Sequence, residues 1–122
     1  LNVMLNARMA MRTAHGGGKL LFKTKAMDNT IQISFKDDGP GIAKKNLQRI
    51  FDPFFTTRKT GEGTGLGLSI CQGIIASHDG TIYARSKLGK GATFIIELPV
   101  VARQRKTASN GRANHINNKP WR

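Results

Sequence analysis

Two asparagines, Asn2 and Asn6, stand four residues apart where Val3, Met4, Ala7, Ala10 and Met11 recur at three- and four-residue spacing. That spacing predicts a helix over 1–13 and puts both amides on one face. An amide oxygen is a fair ligand for Mg²⁺, which takes a few oxygens and keeps several waters. A polar solvent edge is the plain alternative. Further on, Asp37-Asp38-Gly39-Pro40-Gly41-Ile42 follows a cleanly alternating segment. A carboxylate at a strand end can accept a hydrogen bond from an adenine amino group, and glycines beside it let the backbone approach a flat base. An ordinary turn uses the same residues.

The run Gly61-Glu62-Gly63-Thr64-Gly65-Leu66-Gly67-Leu68 leads into an apolar helical pattern. Glycines expose backbone N–H groups, and a helix start adds its dipole and unpaired donors. The combination is a phosphate cradle, though a Gly-rich run alone is often a linker. Just before it, Phe51-Asp52-Pro53-Phe54-Phe55-Thr56-Thr57 ends in Arg58-Lys59. The phenylalanines can anchor a loop to a core while Arg58 and Lys59 reach for phosphates. A buried loop with a solvated basic end is the other reading.

These groups need a frame. His15 and Gly16–Gly18 stop the first helix. Strands are expected over 19–26 and 30–36, joined at Asp28-Asn29 as a hairpin, with Ile31, Ile33 and Phe35 facing inward. A short helical piece is expected around 44–49. A second main helix spans 66–77, with Leu66, Ile70, Ile74 and Ile75 on its inner face. Two more strands, 81–86 and 93–98, flank Leu88-Gly89-Lys90-Gly91. The fold class is α+β: a two-layer sandwich of a mixed or antiparallel sheet with helices on one face. This order does not match a fold of parallel βαβ units.

The bulk numbers fit one domain over 1–100. The chain has 122 residues, 20 Lys and Arg against 7 Asp and Glu, and a formal charge of +13. Six of the basic residues lie in 101–122 without an acid, so that segment is expected to be a basic, disordered tail. A basic body suits a polyanion such as a nucleotide. The single cysteine, Cys71, has no internal partner and sits in a helical apolar pattern, which makes it a core residue. With no signal-peptide pattern and no apolar run of about 20 residues, the expected location is cytoplasmic.

Five motifs occur in order: Asn-x-x-x-Asn-Ala, Asp-x-Gly-x-Gly-Ile, Phe-Asp-Pro-Phe-Phe-Thr-Thr, Gly-Thr-Gly-Leu-Gly-Leu-Ser-Ile and a closing Gly-x-Gly-Ala-Thr-Phe. Together they resemble the ATP-binding catalytic domain of sensor histidine kinases, within the GHKL (Bergerat-fold) superfamily, from Leu1 to about Val100. The resemblance implies Mg²⁺-ATP as ligand. It implies that Asn6 coordinates Mg²⁺, with Asn2 one turn earlier, and that Asp37 binds adenine with Gly39, Gly41 and Ile42. Phe51 to Thr57, including Phe54 and Thr57, would be the hinge of an ATP lid. Arg58 and Lys59 would serve the phosphates, Arg58 together with Asn6 in catalysis. Gly63, Thr64, Gly65, Leu66, Gly67 and Leu68 would hold the nucleotide, and Thr93 would line the adenine pocket. The implied function is donation of the γ-phosphate to a histidine on a separate dimerisation domain and, through it, signalling to a response regulator.

The sequence departs from the pattern at several points. None of His15, His78 and His115 sits in a His-acid-x-x-x-Pro setting, so the phosphoacceptor belongs on another domain. Met9 stands where a basic or amide side chain is frequent, and Asp79 where glycine is common. Three rivals remain. A GHKL-type ATPase needs a base, and an amide stands at Asn2. A pseudokinase would bind nucleotide without transfer. A nucleic-acid-binding module would use the basic charge, with the tail expected to bind polyanions weakly and with strong salt dependence. The family also carries a strand and more helix ahead of its first asparagine motif, so the sequence reads as cut short at that end. Adding upstream sequence is expected to raise the melting temperature in scanning fluorimetry; an unchanged value would contradict this.

Overall fold

The computed structural model describes residues 1–58 and 63–100. Lys59, Gly61, Glu62 and the 101–122 segment lie outside the described residues. Helix α1 covers Asn2–His15, and Val3, Ala7 and Met11 form its buried stripe. It outruns the expected end because Gly16, at φ 78°, is the residue that closes it, its N–H bonding Arg12 O at 3.0 Å.

Strands β1 (Leu20–Met27) and β2 (Thr30–Asp37) form the expected hairpin, with Met27 opposite Thr30. The short helix α2 covers Lys44–Leu47, and α3 covers Gly67–Ser77. Strands β3 (Thr81–Ser86) and β4 (Ala92–Pro99) complete a four-stranded sheet in the order β1-β2-β4-β3. All three pairings are antiparallel. Each hairpin thus supplies one central strand, and β2 beside β4 joins the two halves of the chain.

Alternation along the strands divides the sheet into two faces. Val3 from α1, with Leu68, Cys71 and Ile75 from α3, packs on Phe35, Ile82, Phe94 and Ile96 of one face. Cys71 is half-buried and packs against this core. On the opposite face Glu97 Oε1 accepts bonds from Tyr83 Oη (2.9 Å) and Gln32 Nε2 (3.2 Å). That bond to Glu97 raises the Tyr83 pKa, with burial adding to it, because a phenolate would face a carboxylate.

The inner stripe of α3 differs from expectation. Leu68, Cys71 and Ile75 face the sheet, whereas Ile70 and Ile74 are 50% and 53% exposed. The helix is apolar on more than one side, so periodicity alone offered two stripes. Asp79 after α3 takes a left-handed φ of 59°, with its N–H on Ala76 O at 3.0 Å. Asp tolerates that conformation better than most residues do, so the turn survives without glycine. No helix among the described residues is long and apolar enough to cross a membrane.

Candidate functional site

Asp37 is the last residue of β2 and only 4% exposed. Its parity places it on the helix-covered face, with Phe35. Oδ1 accepts the Gly39 N–H at 2.9 Å and the Ala92 N–H at 3.2 Å. A carboxylate has about four acceptor sites, so two backbone bonds orient it and leave capacity for a ligand donor.

The turn around it is tied closely. Gly41 (φ 76°) and Gly91 (φ 73°) both take left-handed backbone, and a Cβ on Gly91 would run into the Asp37 carbonyl and lie 3.2 Å from Asp38 Cα. Ser86 Oγ donates to Gly91 O (2.7 Å) and accepts the Ile42 N–H (2.7 Å). Gly89 N–H reaches Pro40 O at 2.8 Å. The ends of β2, β3 and β4 therefore meet at Asp37, and half-buried Ile42 packs on the core beneath.

The second half of the site lies across α1. Asn6 Oδ1 accepts a bond from Arg58 Nη2 at 3.3 Å, and Asn2 Nδ2 donates to Gly67 O at 3.3 Å. A Cβ on Gly63 would stand 3.4 Å from Arg58. Gly65, at φ 68°, gives its carbonyl to Phe54 N–H at 2.9 Å. Thr64 Oγ1 takes the Leu66 N–H at 3.3 Å, and α3 begins with no side-chain cap at Leu66. An uncapped helix start presents free donors to an anion.

Helix α1 measures the spacing between the halves. Met11 lies against Gly39, its Cγ 3.5 Å from where a Cβ would stand. Asn6 and Asn2 precede it by five and nine residues, or about 7 to 14 Å along the axis. The Asp37 turn, against which Met11 rests, and the asparagines are thus spaced by one helix.

Residues 1–102 match the family described as histidine kinase-, DNA gyrase B- and HSP90-like ATPases. The chain belongs to that family. It is similar to the sensor histidine kinase ZraS of Salmonella typhimurium, 46% identical over 104 residues, covering 85% of this chain and 22% of the relative. It is also similar to the sensor kinase CckA of Brucella abortus, 39% identical over 118 residues, 87% of this chain and 12% of that one. The chain therefore spans about a fifth or less of these relatives. Among solved structures, the catalytic domain of histidine kinase ThkA superposes with a TM-score of 0.67 at 38% identity. That match covers 80% of this chain and 61% of that chain. The ATP-binding fold of histidine kinase catalytic domains is the fold seen here.

Several expected members of this ATPase-family site move. Of the three phenylalanines, Phe51 anchors on Phe94 (centroids 6.4 Å apart) and Phe55 lies under the Arg49 guanidinium at 4.7 Å. Phe54 is 74% exposed with φ 66°, and Thr57 is exposed. Leu68 belongs to the core, with Leu66 half-buried beside it. Thr93 is a correction: alternation on β4 turns it to the sheet face opposite Asp37, and Ala92 sits beside the carboxylate instead. The backbone N–H one residue earlier makes the contact with Asp37. Met11 carried no chemical signal; only its place in the Val3-Ala7-Met11 stripe pointed inward. A hollow of about 580 Å³ between Phe51, Gln72, Ala76 and Ile82 is lined by neither Asp37, Asn6, Asn2 nor Arg58.

Gly91 and Gly89 offer a matched test. Both have positive φ, but a Cβ on Gly89 meets nothing within 4 Å. Gly89→Ala is expected to cost about 1–2 kcal/mol, the left-handed penalty alone. Gly91→Ala should cost distinctly more and weaken nucleotide binding. Equal losses in denaturant unfolding would contradict the packing described around Asp37.

Proposed function

We propose that the chain binds Mg²⁺-ATP and presents the γ-phosphate to a histidine on a separate dimerisation domain, the opening step of two-component signalling through a response regulator. The observation that carries this reading is the joining by α1 of a buried, backbone-oriented carboxylate (Asp37) to an asparagine–arginine pair (Asn6–Arg58). The similar kinase ShkA has been solved in complex with AMPPNP.

In this reading Asp37 accepts from the adenine amino group, with Gly39 and Gly41 keeping the floor flat. The start of α3 and Gly63, Gly65 and Gly67 offer N–H groups to the phosphates. Arg58 exchanges Asn6 for phosphate oxygens, which are stronger acceptors than an amide. Asn6 Oδ1 already meets a cationic donor, so it suits a metal that takes one or two protein oxygens and completes its shell with phosphate and water. When bound, Mg²⁺ supplies charge neutralisation on the phosphates. Lys59 follows Arg58 in sequence and is proposed for the same oxygens. Catalysis is mostly positioning.

Two observations favour transfer over hydrolysis. The Asn2 amide, already donating to Gly67 O, takes no proton at neutral pH and cannot activate water. Exposed Ile70 and Ile74 give α3 an apolar surface suited to the helices of a partner domain.

The test supplies the missing histidine in trans. The chain is mixed with the isolated dimerisation domain of ZraS and γ-labelled ATP, and acid-labile phosphate on that domain is measured. Transfer is expected. Arg58→Ala should slow it about a hundredfold, and Ile74→Arg should slow it while leaving ATP affinity unchanged. Release of inorganic phosphate without labelling of the partner would favour the ATPase reading.

A further inference from the structure

The sheet face turned away from the helices is not used by the nucleotide reading. Its outward positions include Lys23 and Lys25 on β1, Lys36 on β2 and Arg85 on β3, all exposed. Lys36 and Arg85 flank Thr93, which pairs with both across the ladder. Strands lie about 4.8 Å apart and alternate residues about 6.8 Å apart. Four cations therefore share one flat surface. Its one carboxylate, Glu97, is already bonded to Tyr83 and Gln32. Among the described residues the acid–base contact within 4 Å is His15 Nε2 with Asp38 Oδ1 at 3.7 Å, which involves none of the four, so these cations have no carboxylate partner there.

Like charges set side by side on a sheet repel, and a solvated face more often mixes signs. This face also orients its charge: the Arg85 guanidinium lies over the Tyr83 ring, 5.7 Å from its centroid. We propose that the helix-free face of the sheet is a docking surface for an acidic protein partner, held by Lys23, Lys25, Lys36 and Arg85. Arg85 offers a planar fork for a carboxylate. The half-buried Ser34 and Thr93 hydroxyls between the cations suit peptide groups. Single-stranded nucleic acid needs open aromatic faces for stacking. The aromatic on this face, Tyr83, has its ring under Arg85 and its hydroxyl on Glu97.

The experiment measures anisotropy of fluorescein-labelled polyglutamate, an oligo-dT strand and phosphatidylserine vesicles against the full chain at about 0.1 M salt. Lys23→Gln, Lys36→Gln, Arg85→Gln is compared with Arg103→Gln, Arg105→Gln, Lys106→Gln, which removes the same charge from the 101–122 segment. Polyglutamate binding is expected to fall at least tenfold more in the first triple than in the second. Should the first triple fail to fold, the exposed pair Lys23→Gln, Lys25→Gln, set against Arg103→Gln, Arg105→Gln, must show the same ordering. Equal weakening in both sets would overturn the proposal by reducing it to net charge. So would absence of polyglutamate binding, or tighter binding of oligo-dT or vesicles that the sheet-face variants abolish.

Discussion

Asp37 Oδ1 receives two backbone N–H groups from different parts of the chain, Gly39 on its own turn and Ala92 at the start of β4. A buried carboxylate is costly unless such bonds hold it. Meeting that requirement fixes much else. The β2 and β4 ends must converge, which the crowded backbone at Gly41 and Gly91 permits. Ser86 then closes the junction from β3. The central β2–β4 pairing and the candidate base-binding group are therefore consequences of one arrangement, and a change there acts on stability and on the site together.

Helix α1 extends that arrangement to the other end of the site. Its buried stripe packs on the sheet while the neighbouring face carries Asn2 and Asn6 to the start of α3 and to Arg58. Because the asparagines and Met11 share one helix, the distance from the Asp37 turn to the phosphate candidates is set by helix rise rather than by loop geometry. What remains adjustable is the side holding Arg58, whose guanidinium bonds the Asn6 amide at 3.3 Å and whose N–H bonds Thr56 Oγ1 at 3.0 Å.

Much of this was legible in the sequence for identifiable reasons. Alternation of apolar and polar residues in Thr30–Lys36 named its strand, since Phe35 packs on the helix-side core while Lys36 is exposed, and in Thr81–Ser86 buried Ile82 lies between exposed Thr81 and half-buried Tyr83. Asp37 was legible from its place at a strand end among glycines. What misled was chemistry without geometry or pattern without contrast. Thr93, implied by the motif it sits in, lies on the face opposite Asp37, and the contact belongs to a backbone group that no side chain announces. In α3 isoleucines on two sides left the inner stripe undetermined until Val3 and the sheet selected Leu68, Cys71 and Ile75. The basic outer face is not legible in the sequence because Lys23, Lys36 and Arg85 are distant along the chain and become neighbours only through strand register.

The central claim is that Asp37 anchors a nucleotide. The direct measurement is calorimetric titration of the chain with ATP and ADP, with and without Mg²⁺, beside an Asp37→Asn variant of verified fold. The account predicts micromolar binding by the wild type, strengthened for ATP by Mg²⁺. It predicts a loss of about ten- to a hundredfold in the variant, the size of a charged hydrogen bond. Undiminished binding by Asp37→Asn, or none by the folded wild type, would contradict it.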